Sequence, residues 1–163
     1  MPGVVTRVAI RDAGASDLVA VKRLFEAYAS SLGVDLCFQG FAGELAGLPG
    51  AYAPPHGALL LASQDGEAIG CVALRPLGDE GGRTLGEVKR LYVVPHARGA
   101  RAGRALMEAL LERARRLGYD TLKLDTLATM TSARVLYASL GFRECAPYYD
   151  NPLPGVTYMS LRL

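Results

Sequence analysis

The sequence predicts an α/β domain built on a mixed, mostly antiparallel sheet flanked by helices. Three observations carry that expectation. Apolar residues alternate between a spacing of two and a spacing near 3.6 along the chain. Two short apolar runs flank Asp65-Gly66, a tight-turn pair that marks an early hairpin. Further on, a strand pattern runs straight into a basic amphipathic helix. The element order is βααβββαβαββ, and 163 residues suit a single domain over 1–163.

Val4–Arg11 reads as the first strand. Ser16 or Asp17 can cap the next helix, which carries Leu18, Val21, Leu24, Phe25 and Tyr28 on one face. A less regular helical stretch covers about Phe38 to Leu48 and breaks at Pro49-Gly50. Ala58–Ser63 and Ile69–Arg75 form the hairpin around Asp65-Gly66, and Gly78–Gly82 is a second turn. Leu85–Val94 is a long strand ended by Pro95. A helix from about Arg101 to Leu117 repeats Leu106, Ala109, Leu110, Ala114 and Leu117 at helical spacing, and Gly118 is placed to end it. Thr121–Thr126 is a strand, Ser132–Leu140 a short helix closed by Gly141, and Phe142–Ala146 and Val156–Leu163 the last strands.

Composition excludes several classes. Half the residues are apolar and 21% are charged, as in a folded soluble protein. No run of eighteen apolar residues appears, so no membrane partner is expected. The N-terminal MPGVVTRVAIRDA lacks the apolar core of a secretory signal. Cys37, Cys71 and Cys145 form no CxxC pair; they read as small buried hydrophobes in a reducing, cytoplasmic setting. His56 and His96 are isolated surface residues, and no metal site is expected. Net charge is only +2, yet Lys89–Gly118 holds eight Lys or Arg against Glu108 and Glu112. A local basic excess on a nearly neutral chain points to one anionic ligand.

The segment Val93-Val94-Pro95-His96-Ala97-Arg98-Gly99-Ala100-Arg101-Ala102-Gly103-Arg104 has two readings: a site for that ligand, or a strand-to-helix connection whose small residues merely allow tight packing. Unpaired N–H groups at a helix start favour an anion. Gly99, Ala100, Ala102 and Gly103 leave the backbone approachable, while Arg98, Arg101 and Arg104 add charge. Neither GxxxxGK[ST] nor GxGxxG is present, which argues against a P-loop or a dinucleotide fold.

The stretch Leu91–Leu106 resembles the acetyl-CoA motif [QR]-x-x-G-x-[GA] of the GNAT superfamily of N-acetyltransferases. Arg98 takes its first position and Gly103 its last; Arg101 replaces the usual first glycine. An early helical position needs no positive φ, so an arginine is expected to hold the turn and reach the cofactor's phosphates. Leu136-Tyr137-Ala138-Ser139-Leu140-Gly141-Phe142 is similar to the family's LYxxxGF signature, and Glu87 stands at its acidic position, eleven residues before Arg98. The resemblance implies a sheet splayed at its middle, with acetyl-CoA as co-substrate wedged between strands four and five. It also implies backbone N–H donors at Tyr92, Val93 and Val94 for the pantetheine arm and thioester. Met130 stands where the family often has an asparagine.

By that resemblance Glu87 is the general base and Tyr137 the acid that protonates the departing thiolate. The acceptor is a primary amine of a small molecule or peptide, and a homodimer is compatible with the pattern. Glu87 can alternatively be a solvated strand residue paired with Lys89 or Arg90, and Tyr137 a core residue beside Phe142. Phe38, Phe41, Tyr52 and His56 lie in the segment that usually covers the acceptor site in the family, and the resemblance sets the loop of Tyr148, Tyr149, Asp150 and Asn151 opposite it; aromatics there suit a pocket wall and an ordinary core equally. A non-catalytic acyl-CoA sensor is the rival reading, opposed by the presence of both Glu87 and Tyr137. Nucleic-acid binding through Arg101–Arg116 lacks the interleaved aromatics it would need.

Overall fold

The computed structural model describes residues 7–99 and 101–163. Its strands are β1 (Ala9–Asp12), β2 (Ala58–Gln64), β3 (Glu67–Glu80), β4 (Arg83–Val93), β5 (Thr121–Leu127), β6 (Arg143–Glu144) and β7 (Val156–Arg162). Its helices are α1 (Leu18–Leu32), α2 (Phe41–Ala46), α3 (Ala102–Arg116) and α4 (Thr131–Ser139). The sheet runs β1-β2-β3-β4-β5-β7-β6, antiparallel throughout except for the β4–β5 pair. Of the expected first strand, residues 4–6 lie outside the described residues.

Two apolar cores cover the two faces. On one, Leu106, Met107, Leu110 and Ala114 of α3 pack on Leu60, Val72, Leu74, Val88, Leu122 and Leu124. On the other, Val21, Leu24 and Phe25 of α1 meet Leu59, Leu61, Cys71, Ala73 and Tyr92. The same alternation that sends Leu122 and Leu124 to the α3 side places Lys123 and Asp125 on the α1 side.

Local turns follow the sequence chemistry. Asp65 and Gly66 both have positive φ, as the tight hairpin requires. Gly118 adopts φ +87 past the end of α3, where the left-handed conformation lets Tyr119 N–H reach Ala114 O at 3.1 Å. The β3–β4 hairpin extends beyond its expected limits, with β3 reaching Glu80 and the turn narrowing to Gly81-Gly82. Pro76 and Gly78 look like breakers, but Pro76 pairs with Gly86 and Gly78 with Leu85, leaving Leu77 as a bulge between them.

A second bulge shapes the site. Cys71 pairs with Tyr92 and Ala73 with Lys89, so two steps on β3 span three on β4. Arg90 absorbs the extra residue with φ +61. Beside it, β4 and β5 pair only over Leu85–Thr121, Gly86–Leu122 and Glu87–Lys123. The rest of both strands is unpaired with the other, and the sheet opens there.

Candidate active site

The opening between β4 and β5 leads into a groove of about 480 Å³ bounded by Leu91–Val93, the turn before α3, and the β5–α4 connection. That size suits a ligand site. Arg98, Gly99, Arg101, Ala102 and Gly103 line it. The first intrahelical bond of α3 runs from Ala105 N–H to Arg101 O at 3.0 Å. The N–H groups of Ala102, Gly103 and Arg104 thus precede the helical ladder and remain available to an anion. Gly99, at φ +97, has open space where a Cβ would project. A pyrophosphate fits these donors and this spacing. Ala100 lies outside the described residues.

Four expectations need correction here. Arg101 is not an ordinary early helical residue: it caps α3 with φ +60 and ψ +24, the left-handed conformation that favours glycine. Arg104 does not stand over the groove, because its Nη1 donates to Glu108 Oε1 at 3.1 Å and its Nη2 to Ser139 Oγ at 2.7 Å. It ties α3 to α4. Val94 donates its N–H to Ile69 O at 2.8 Å, and strand alternation turns the Tyr92 N–H to the same β3 side. Among the three expected backbone donors, only Val93 therefore presents its N–H toward the opening. The Tyr92 ring still lines the groove, held between Tyr28 (6.5 Å between centroids) and the Arg98 guanidinium (5.8 Å).

Deeper in the splay, a cavity of about 10 Å³ is bounded by Tyr28, Lys89, Asp125 and Tyr137, with Val88, Arg90, Leu91 and Met130 completing its wall. It has room for one water-sized group. Tyr28, Leu91 and Met130 also line the larger groove, so the two spaces adjoin. Tyr137 is 4% exposed and packs on Phe142 at 5.8 Å; burial, then Tyr28 and Asp125, push its phenol above the ordinary value. Tyr137 thus packs beside Phe142 and also borders this cavity. Met130, at the position often taken by asparagine, is part of the wall.

Glu87 is neither solvated nor paired with Lys89 or Arg90. It is 1% exposed; Arg75 donates from Nε to its Oε1 at 2.8 Å, and the Tyr148 hydroxyl donates to Oε2 at 2.6 Å. It lines neither of the two adjoining spaces. Lys89 instead donates to Gln39 Oε1 at 3.1 Å, and burial pulls its ammonium below the ordinary value. Gln39 Nε2 donates in turn to the Tyr149 hydroxyl at 3.1 Å. Tyr149 donates to Asp125 Oδ2, which also accepts from Asn151 Nδ2 at 2.8 Å. Tyr148, Tyr149 and Tyr158 pack with centroids 5.3–5.8 Å apart, fixing the β6–β7 loop over the sheet.

The remaining expected acceptor residues divide. Tyr149 and Asn151 hydrogen-bond to Asp125 and Tyr148 to Glu87, while none of the three lines either space. Phe41 instead packs under the Arg90 guanidinium at 5.2 Å, and Tyr52 is buried edge-on against Phe25. His56 and His96 are exposed, and among the described residues no His, Cys, Asp or Glu cluster could hold a metal. Of the cysteines only Cys71 is buried; Cys37 is exposed. Sequence reasoning passed over Gln39, Arg75, Lys89 and Asp125. The available signal was two charged positions, Lys123 and Asp125, alternating with leucines on a central strand.

The chain matches the Acetyltransferase (GNAT) family over residues 23–142. It is 43% identical over 148 residues to an uncharacterised N-acetyltransferase of Schizosaccharomyces pombe, covering 90% of this chain and 89% of that one. The fold superposes on a GNAT-family acetyltransferase from Staphylococcus aureus with a TM-score of 0.78 at 18% identity, covering 96% and 99% of the two chains. It also superposes on a Salmonella typhimurium structure solved with its cofactor acetyl-CoA, with a TM-score of 0.72, 22% identity and coverage of 95% and 93%. Fold and family together define an acyltransferase whose sheet opens beside a helix N-terminus. The chain belongs to the GNAT family of acetyltransferases and is an enzyme of that class. Among the described residues no helix is long and apolar enough to cross a membrane.

Proposed function

We propose that this enzyme takes acetyl-CoA as donor and moves its acetyl group to a primary amine of a small molecule or peptide by direct attack. The observation that carries the reading is the adjacency of two spaces. A groove beginning at the unpaired N–H groups of α3 shares Tyr28, Leu91 and Met130 with a water-sized cavity walled by Tyr137 and a carboxylate. The groove would hold the pyrophosphate and pantetheine, and the cavity the reacting atoms.

In this reading the neutral amine forms the new N–C bond as the C–S bond breaks. The Val93 N–H, facing the opening, is positioned to stabilise negative charge on the carbonyl oxygen. Tyr137, kept protonated by burial, gives its proton to the departing thiolate. The amine's proton must pass to a carboxylate on the acceptor side. Glu87 and Asp125 both stand on that face, and they differ in what they touch.

Binding and turnover test the reading separately. A ligand bound only to the folded state raises the unfolding midpoint, by about 2.7 kcal/mol of stability at one hundred times Kd. Acetyl-CoA and CoA should each raise the midpoint, and NAD should not. Thiol release from acetyl-CoA should then depend on an added amine. Absence of a shift at millimolar acetyl-CoA would remove the donor assignment, and a shift without amine-dependent thiol release would favour a sensor.

A further inference from the structure

Beyond Glu87 the structure offers a second carboxylate, and we infer that Asp125 is the catalytic residue that binds the acceptor amine and takes its proton. The inference rests on the amine-acetylation reading above and names the group that serves it.

The argument begins with strand register. Glu87 and Lys123 form the last paired position of β4 and β5. Side chains on one face of a strand recur every second residue, so the next position on that face belongs to Lys89 and Asp125. The strands no longer pair there, and those two side chains border the water-sized cavity. Glu87, still within the paired region, does not reach it. Distance along the sheet therefore separates a carboxylate at the reaction centre from one behind it.

Hydrogen bonding gives the same answer independently. Glu87 is committed to Arg75 and to the Tyr148 hydroxyl on its two oxygens. A charge satisfied by a guanidinium is a poor proton acceptor, because neutralising it would leave Arg75 unpaired. Asp125 uses Oδ2 for Tyr149 and Asn151, and no hydrogen bond from the described residues falls on its Oδ1. One oxygen anchors the side chain and the other is left for the cavity.

The groups around Asp125 suit a proton acceptor. Lys89 and Arg90 face it from β4, Tyr28 from α1 and Tyr137 from α4. Arg90 is neutralised by Glu44, whereas Lys89 has, among the described residues, the neutral Gln39 amide as its hydrogen-bond partner and feels the charges of Glu87 and Asp125. Lys89 beside the cavity disfavours a second ammonium there, so an acceptor that enters is driven to lose its proton. The N–H bond of the acceptor ammonium breaks, its proton moves to Asp125 Oδ1 and its electron pair becomes the nucleophile; once the N–C bond has formed, the second N–H proton passes to the phenolate left when Tyr137 protonates the thiolate. Glu87 is left as a positioning residue that holds Tyr148 and Arg75.

The test compares Asp125→Asn, Glu87→Gln and Tyr149→Phe with the unmodified enzyme. The probe acceptor is whichever of 2-phenylethylamine, putrescine and alaninamide gives the fastest thiol release. Acetyl-CoA affinity, measured by calorimetry, should stay within about twofold in all three, which reports an intact fold and groove. Asp125→Asn should lower kcat/KM at neutral pH by ~10²–10³-fold and abolish the acidic limb of its pH profile. Turnover should recover only as the acceptor loses its proton unaided in alkaline solution. Glu87→Gln, and Tyr149→Phe, which removes a donor but keeps the charge, should retain that limb. Loss of the limb in Glu87→Gln with its retention in Asp125→Asn would overturn the inference and leave the acetylation reading standing. Acetyl-CoA binding without thiol release to any amine would remove both.

Discussion

Arg90 and Glu44 form a bidentate pair, Nε to Oε2 at 2.9 Å and Nη2 to Oε1 at 3.0 Å, that binds the bulge of β4 to α2. Both side chains are largely removed from water, at 2% and 13% exposure. The guanidinium also lies 5.6 Å from the centroid of Tyr28 and 5.2 Å from that of Phe41. Arg90 pays for its positive φ with these contacts. The bulge matters because it turns Lys89 and Arg90 toward the same face, where ordinary alternation would send them to opposite ones.

Removing one member of this pair leaves the other charge buried and alone. Glu44→Gln should therefore destabilise the protein by about 3–5 kcal/mol, read as a fall in the urea midpoint. Replacing both, as in Glu44→Leu with Arg90→Met, should cost less than Glu44→Gln, because no orphan charge remains. A double variant less stable than the single one would show that the pair contributes more than mutual neutralisation.

Tyr137→Phe separates the chemical role of the hydroxyl from the packing of its ring. The ring fills space against Phe142, and phenylalanine preserves that contact. Acetyl-CoA affinity should be unchanged, while kcat falls by ~10²-fold or more for want of a proton donor. Because burial raises the phenol above its ordinary value, the proton is held throughout the neutral range and is lost only at higher pH than in a free tyrosine. No fall in kcat from Tyr137 should thus appear between pH 7 and the ordinary tyrosine value of ~10. Equal kcat for Tyr137→Phe would assign the residue to packing alone.

Much of the frame was legible because its signals are local. Asp65-Gly66, the apolar repeat of α3 and Gly118 each dictate conformation within a few residues, and each element stands where its pattern puts it. The signature around Tyr137 also located one wall of the small cavity where β4 and β5 part. The bulge at Arg90 was not legible, since it is a difference in count between two strands and neither strand records it alone. Arg75 and Glu87 likewise meet only through the register of β3 on β4, which neither strand records alone. The acceptor side draws on Gln39, Lys89, Asp125 and Tyr149, positions spread over more than half the chain. Their common ground is the place where β4 and β5 part, which follows from register and has no local pattern.

Arg101 is where conformation and charge make opposing demands. At φ +60 and ψ +24 it occupies the left-handed region at the start of α3. A residue with a Cβ is disfavoured there by roughly 1–2 kcal/mol, which gives a physical reason for a glycine at this position of the motif. Arg101→Gly should accordingly raise the stability of the free protein by about 1 kcal/mol, while Arg101→Ala, which keeps the Cβ, should not. The arginine's return is its charge at the edge of the groove, beside the N–H groups that would hold a pyrophosphate. Strain is carried in both the free and the bound protein and largely cancels from affinity; the lost charge does not cancel. Both substitutions should therefore weaken acetyl-CoA by about tenfold, or 1.4 kcal/mol. The loss should shrink with dephospho-CoA if the ribose 3′-phosphate is the partner. Calorimetric titration of both variants decides between the two effects: tighter binding in each would mean that the long side chain obstructs the groove, and tighter binding in Arg101→Gly alone would mean that the Cβ itself keeps the cofactor from the backbone.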